Sequence, residues 1–318
     1  MKTPLRALVT AAAILAATFA HADTWPSRPI HMVVPFGPGG ANDLVARYVA
    51  DAASRELGQP ILVENKPGAG SVIGAEYVAK AAPDGYTFLA PAAGVITNAM
   101  IKKSMPYKEE DLVPVALLAV SPSVIVVPQD SPIHSLKELV AASKKKPMAF
   151  ATAGTGSTPH FVAEMLKIKA GARLDIVPYK SGSEGVVAVI GKQVDATSEA
   201  SPVVLPQIKG GKLRPLASTW NRRVAALQDI PTAEELGYKD LVIGHWAGLF
   251  APKGTPDAIL DKMNAAVNKA LKSSELRARL IPQGIDPQGG SREDFRRFLA
   301  QEKTRLGAVA KAANMQAD

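Results

Sequence analysis

Two glycine-rich stretches carry the most suggestive chemistry in this sequence of 318 residues. The first is Pro35-Phe36-Gly37-Pro38-Gly39-Gly40-Ala41-Asn42-Asp43, and the second is Ala151-Thr152-Ala153-Gly154-Thr155-Gly156-Ser157-Thr158-Pro159-His160. Each follows a short apolar run and precedes a helix-forming segment. Glycine lets backbone N–H groups crowd a bound anion, and a helix N-terminus directly behind favours a carboxylate there. The hydroxyls of the second stretch suit fixing an oxyanion with neutral donors. The same residues also serve two tight βα turns, with Asn42 or Asp43 capping one helix and Ser157 or Thr158 the other. Both readings remain open at the level of these residues.

Reactive chemistry finds less support. A phosphate-binding loop needs G-x-x-x-x-G-K-[ST], and Gly185 to Gly191-Lys192 is one residue too long and is followed by Gln193. A dinucleotide fingerprint fails at Ile73 after Gly68-Ala69-Gly70, and at Pro159 after Gly154-Thr155-Gly156. Ser183 has Ser181 where a nucleophile elbow needs glycine. His31, His134, His160 and His245 are far apart, and with no Cys a zinc site is not expected. The chain reads as built to bind rather than to react, with no cofactor.

The N-terminus explains where it works. Lys2 and Arg6 precede the apolar run Ala7 to Phe19, and Ala20-His21-Ala22 forms an A-x-A cleavage site, the pattern of a secretory signal. Cleavage after Ala22 changes the net charge from +8 to +6. An exported protein does not meet genomic DNA, so the basic balance points to anionic ligands or to a general compositional bias, and not to nucleic acid. The absence of Cys leaves neither a lipid-anchoring thiol nor structural disulfides, which implies a protein free in the periplasm.

The elements that position the two stretches alternate between strand and helix. Strands are expected at Ile30 to Val34, Ile61 to Glu64, Thr87 to Ala90, Val124 to Val127, Ala149 to Ala151, Ile176 to Pro178, Asp195 to Ser198 and Leu213 to Thr219. Helices are expected at about Asn42 to Leu57, Val72 to Ala81, Ser135 to Ala142, Pro159 to Ile168 and Glu184 to Ile190. Two more follow in the C-terminal third, capped by Thr255-Pro256 and by Ser291. Such alternation argues for an α/β fold with largely parallel sheets.

The chain resembles the Bug family, the periplasmic solute-binding proteins of tripartite tricarboxylate transporters. The likeness rests on the order and spacing of many short matches. They include Trp25-Pro26-Ser27-Arg28-Pro29-Ile30, Val33 through Gly40, Val63-Glu64-Asn65-Lys66-Pro67-Gly68-Ala69-Gly70 and Ala82-Pro83-Asp84-Gly85-Tyr86-Thr87. Further on come Gly154-Thr155-Gly156-Ser157 with His160, Val177-Pro178-Tyr179-Lys180, Ile208 through Arg214, Gly248 through Pro252 and Gly254-Thr255-Pro256. The resemblance implies a type II periplasmic-binding-protein fold, two lobes joined by two crossover strands. Lobe 1 would take 23–122 plus 223–318 and lobe 2 would take 123–222, with crossovers near Val124 to Val127 and Leu213 to Thr219. It also implies that a ligand carboxylate is hooked by Phe36, Gly37, Gly39, Gly40, Asn42 and Asp43 from one lobe. From the other would come Thr152, Ala153, Gly154, Gly156, Ser157 and His160, with Ala93, Gly94, Tyr179, Glu199 and Ala200 lining the distal half of the cleft. The implied partners are a small organic carboxylate and the membrane subunits of a transporter, with the receptor a monomer. A sensor feeding a signalling partner and an unrecognised enzyme are the alternatives.

Three stretches depart from the family pattern. Asn42 stands where Thr or Ser is common, Ser198-Glu199-Ala200 replaces a Phe-Asp-Asn-like run, and Ala90 to Val95 is less polar than usual. Each lies where the resemblance puts the ligand. Among other conspicuous residues, Trp246 reads as core between lobes and Lys180 as a solvated side chain. Arg292, Arg296 and Arg297 read as a solvated helix face.

Overall fold

The structure, a computed structural model, describes residues 25–316. The expected export signal and its expected cleavage site lie outside the described residues.

Three short parallel strands start the first sheet: β1 (Ile30–Val34), β2 (Ile61–Asn65) and β3 (Thr87–Leu89), in the order β2-β1-β3. β9 (Gly244–Pro252) adds to β3 antiparallel, and β4 (Leu112–Pro128) lies antiparallel beyond β9. β4 belongs to two sheets. Leu112 to Pro122 pair with β9, whereas from Ser123 onward the strand pairs with β7 (Ala196–Ala200) and β8 (Leu213–Ser218). β5 (Met148–Thr152) and β6 (Leu174–Pro178) complete the second sheet, parallel to β7 in the order β7-β5-β6.

The chain therefore passes from the first sheet to the second within β4, at Pro122 and Ser123. It returns between β8 and β9. There the Thr219 N–H donates to the Ser123 carbonyl at 2.8 Å, and the Ile243 N–H donates to the Thr219 carbonyl at 2.7 Å. The two crossings lie side by side, a few residues from the expected places. The first half of β4 was hidden in the sequence by Pro114 and Pro122, which lack an N–H for the ladder. The strand tolerates them with register shifts between Pro114 and Ala116 and between Leu117 and Ala119.

Period-two alternation assigns the layers. Ile30, Met32 and Val34 of β1 face a cluster built with α1 (Ala41–Leu57) and α8 (Asp257–Lys272), while Val33 faces the opposite side. That opposite side is shared by both sheets. Leu89, Trp246 and Phe250 from the first pack in one cluster with Phe150 from the second, with Phe161 and Met165 of α5 (Thr158–Ala170), and with Phe295 of α10 (Arg292–Ala312). The outer face of the second sheet is covered by α6 (Gly182–Ile190) and α7 (Ser201–Lys209), through Val186, Val189, Val204 and Leu205. α2 (Val72–Ala79) and α3 (Gly94–Ile101) follow β2 and β3, α4 (Leu136–Lys145) follows β4, and α9 (Ser274–Leu280) follows α8.

Trp246 is core, with its ring edge-on to Phe298 at 5.8 Å between centroids. Two local expectations need correction. Thr255 does not cap α8; its hydroxyl donates to the Pro252 carbonyl, and Pro256 takes the N-cap place without a side-chain bond. Arg292 is not solvated but holds Asp257 at 2.8 Å and Asp261 at 2.9 Å, which ties α10 to α8.

Candidate functional site

Strands of a parallel sheet deliver their following turns and helix N-termini to one edge, and both sheets do so here. In the first, β1 ends at Val34 and the turn 36–40 leads into α1. Gly40 is the N-cap and has no side-chain cap, so neither Asn42 nor Asp43 fills that role. Asp43 instead reaches back to accept from the Gly39 N–H at 2.9 Å, from Arg47 Nε at 3.0 Å and from Asn65 Nδ2 at 2.8 Å. Burial opposes its ionised form, but the bonds from Arg47, Gly39 and Asn65 and the Arg47 charge outweigh this, holding its pKa below the ordinary carboxylate value. Asn65 Nδ2 also donates to the Phe36 carbonyl at 3.0 Å. The turn is thus clamped from beneath, while a side chain built on Gly37 or Gly39 would meet nothing within 4 Å. The turn is therefore open at both glycines.

Asn42 performs a different task. Its Nδ2 donates to the Pro91 carbonyl at 2.9 Å and to the Trp246 carbonyl at 3.3 Å. This fastens the start of α1 to the segment after β3 and to the strand β9. Ala93 is buried just before α3, and Gly94 begins that helix.

In the second sheet, β5 ends at Thr152, whose carbonyl accepts from the Tyr179 N–H at 2.9 Å. Gly154 and Gly156 adopt φ of +94° and +79°, the left-handed region where glycine carries no penalty. Ser157 Oγ turns back to donate to the Gly154 carbonyl at 2.6 Å, and His160 Nδ1 accepts from the Gly156 N–H at 3.1 Å. Burial lowers the His160 pKa, against the pull of Glu164 and with a smaller contribution from Lys167. The ring is therefore neutral near pH 7, with its acceptor nitrogen committed to the turn. Thr152 Oγ1 is buried and has no hydrogen-bond partner among the described residues.

Glu199 and Ala200 close β7, and both are buried. Glu199 Oε1 accepts from the Ala200 N–H at 2.9 Å and stands 3.4 Å from His245 Nε2. The same imidazole nitrogen lies 3.3 Å from Ser123 Oγ, which is 2.7 Å from Ser198 Oγ. Glu199 Oε2 has no hydrogen-bond partner among the described residues. Burial raises the Glu199 pKa to about 7, with the Ala200 N–H opposing the rise. Burial likewise pushes His245 down to about 3.

The structure adds a turn that the sequence reading quoted but did not place in the site. Gly68 to Ser71 all have positive φ, and Ala69 at +48° and Ser71 at +79° do so without being glycine. Backbone held this way is costly and concentrates at functional places. Asn98 Nδ2 donates to the Gly70 carbonyl at 2.8 Å, and Gly94 packs so closely that a Cβ would stand 2.5 Å from Ser71 Oγ. The run Gly68-Ala69-Gly70 was the legible signal. This turn and α3 meet the second lobe directly: Thr97 Oγ1 donates to the Gly156 carbonyl at 3.1 Å. Tyr179 lies beside Gly154, and the turn 36–40 shares no described hydrogen bond with the 152–160 turn. Hollows beside Asn264 and Gly290, and beside Ile73 and Tyr77, share no residue with these turns. Among the described residues, no cluster of His, Asp and Glu could hold a metal ion, and no helix is long and apolar enough to cross a membrane.

Both sheets thus present glycine turns, neutral donors and a helix N-terminus at one edge. Residues 45–315 match the sequence profile described as the tripartite tricarboxylate transporter family receptor. Protein BugT of Bordetella pertussis is 39% identical over 295 residues, covering 91% of this chain and 90% of that protein. MatC from Rhodopseudomonas palustris, solved with bound malate, superposes with a TM-score of 0.83 at 31% identity, covering 90% of this chain and 99% of MatC. Rpa4515 of R. palustris, solved with adipate, superposes with a TM-score of 0.88 at 32% identity, covering 92% of this chain and 99% of that one.

Proposed function

Since the chain belongs to the tripartite tricarboxylate transporter receptor family, we propose that it captures a small organic carboxylate between two lobes and delivers it to the membrane subunits of such a transporter. The observation that carries this reading is the meeting of α3 and the 154–156 turn, one from each sheet, together with the 36–40 turn, which is open at Gly37 and Gly39. One carboxylate is held by the backbone N–H groups of Phe36 to Gly40 and Thr152 to Ser157 that the turns leave free and by the Thr152 hydroxyl, which has no partner among the described residues. Asn42, Asp43 and His160 hold these turns in shape. Ala93, Gly94, Tyr179, Glu199 and Ala200 line the rest of the cleft. Malate in MatC and adipate in Rpa4515 make dicarboxylates the first acids to try.

Lobe 1 comprises 23–122 and 223–318 and lobe 2 comprises 123–222, moving about the paired crossings at Ser123 and Thr219. The receptor acts as a periplasmic monomer, released by cleavage after Ala22. The test is a thermal-stability screen of organic acids, amino acids and aromatic acids, followed by uptake measurements in a strain lacking the protein. A stabilising carboxylate whose uptake depends on the protein is expected, because a ligand bound only to the native state raises Tm by mass action. No stabilisation by any carboxylate would overturn the reading.

A further inference from the structure

Glu199 is a carboxyl group with half of its hydrogen-bonding capacity spoken for. Oε1 has the Ala200 N–H and the His245 ring, while Oε2 is fully enclosed without a partner among the described residues. What covers it is Gly182, the first residue of α6: a Cβ there would fall 1.9 Å from Oε2. The cover is thus backbone without a side chain, at the start of a helix, on the edge of the second sheet where Thr152 and Tyr179 also end. Ala200, on the other side of the carboxyl, is the N-cap of α7. Two helix N-termini therefore lie beside one carboxyl; their positive ends favour its ionised form, but burial opposes that form and prevails.

Other ionisable groups do not supply a counter-charge. Among the described residues, His245 from β9 is the one titratable side chain within ion-pair distance, and burial keeps it neutral. β4 and β5 have no ionisable residue. On α6 Glu184 is exposed, on α5 His160 and Glu164 face each other at 3.9 Å, and on α7 Lys209 stands at the far end. Ionised Glu199 would sit with no cation beside it, so its protonated form suits this place.

We propose that Glu199 recognises the far end of the bound molecule as a carboxylic acid, donating from Oε2 to a ligand oxygen that enters beside Gly182, so that the receptor takes dicarboxylates and rejects an ammonium at that end. This rests on the receptor reading above and deepens it. The carboxyl takes its proton from solvent as the second carboxylate enters, so binding consumes up to one proton above the pKa of Glu199. Since burial places that pKa at about 7, affinity for a dicarboxylate falls as pH rises past it, approaching tenfold per pH unit.

The test uses three probes of one chain length: adipate, 6-aminohexanoate and hexanoate, titrated calorimetrically at pH 6 and pH 8.5 in buffers of different ionisation enthalpy. The parent should bind adipate at least tenfold tighter than 6-aminohexanoate at pH 6, lose at least tenfold by pH 8.5, and take up a proton at the higher pH. Glu199→Gln, which keeps a donor, should hold the pH 6 affinity for adipate within about threefold of the parent, with no pH dependence and no proton uptake. Gly182→Ala, whose Cβ displaces the carboxyl, should reduce adipate affinity although residue 199 is still a glutamate. Adipate affinity independent of pH in the parent, equal pH dependence in parent and Glu199→Gln, or tighter binding of 6-aminohexanoate each overturns the proposal. Failure of all three probes to bind overturns it too, while the wider acid screen still decides the receptor reading.

Discussion

The Thr97 hydroxyl, on a helix of the first lobe, donates to the carbonyl of Gly156, in a turn of the second, at 3.1 Å. Thr97 is fully buried, and the Gly156 position lies against Ile101 of the same helix, so this contact leaves no room for solvent. A bond of this kind forms only when the lobes meet. It joins the two halves of the site near the turn expected to carry the ligand's carboxylate.

Replacing Thr97 by Val keeps the shape and removes the donor. The Gly156 carbonyl is left unpaired, at a cost of about 1 kcal/mol. On the reading that the lobes close on the ligand, the loss should appear as roughly fivefold weaker carboxylate binding with little change in ligand-free Tm. A Tm loss equal with and without ligand would show the bond to be structural only.

Gly94→Ala tests the strained turn. Its Cβ would stand 2.5 Å from Ser71 Oγ and 3.0 Å from the Gly70 carbonyl, and the latter is backbone that cannot rotate away. Overpacking of this kind costs about 1–3 kcal/mol. Urea denaturation should show the loss, and carboxylate affinity should fall with it if the 68–71 turn shapes the cleft.

Asp43 links the site to acid stability. Its folded pKa lies below the ordinary aspartate value of 3.8, so its contribution is present above that value and is lost as pH falls toward and through the folded pKa. The parent should lose Tm across this acid range more steeply than Asp43→Asn, which starts lower because the bonds from Gly39 and Arg47 weaken. Parallel curves for the two proteins would remove Asp43 from the acid response.

Export can be read from the mature N-terminus. Intact mass of protein from the periplasmic fraction should correspond to a chain starting at Asp23, and retention of Met1 there would contradict cleavage after Ala22.

Most of the frame was legible because local signals agreed with the tertiary outcome. Apolar β-branched runs such as Ile30 to Val34 became strands, and Ser135 and Ser291 capped their helices as their spacing suggested. Of β4, the sequence pattern marks only Val124 to Val127; Pro114 and Pro122 lack the N–H of a ladder, and pairing with β9 carries the strand through them. α3 was missed because Gly94 to Ile101 has little amphipathic pattern; it is buried on several sides. In the site, the glycine turns were visible, but what Asn42, Asp43 and His160 touch was not. Their partners, Trp246, Asn65 and the Gly156 N–H, are set by the fold. Likewise nothing local tells that His245 stands beside Glu199, for 45 intervening residues separate them in sequence.

The central claim is that one carboxylate is gripped by turns from both lobes at once. Hydrogen–deuterium exchange of the purified protein, with and without a saturating dicarboxylate, tests it most directly. The account predicts slowed exchange at backbone amides of 36–43 and of 152–160 together, with the 68–71 turn slowed as the lobes close. Protection confined to one of the two lobes, or found only away from these turns, would contradict it.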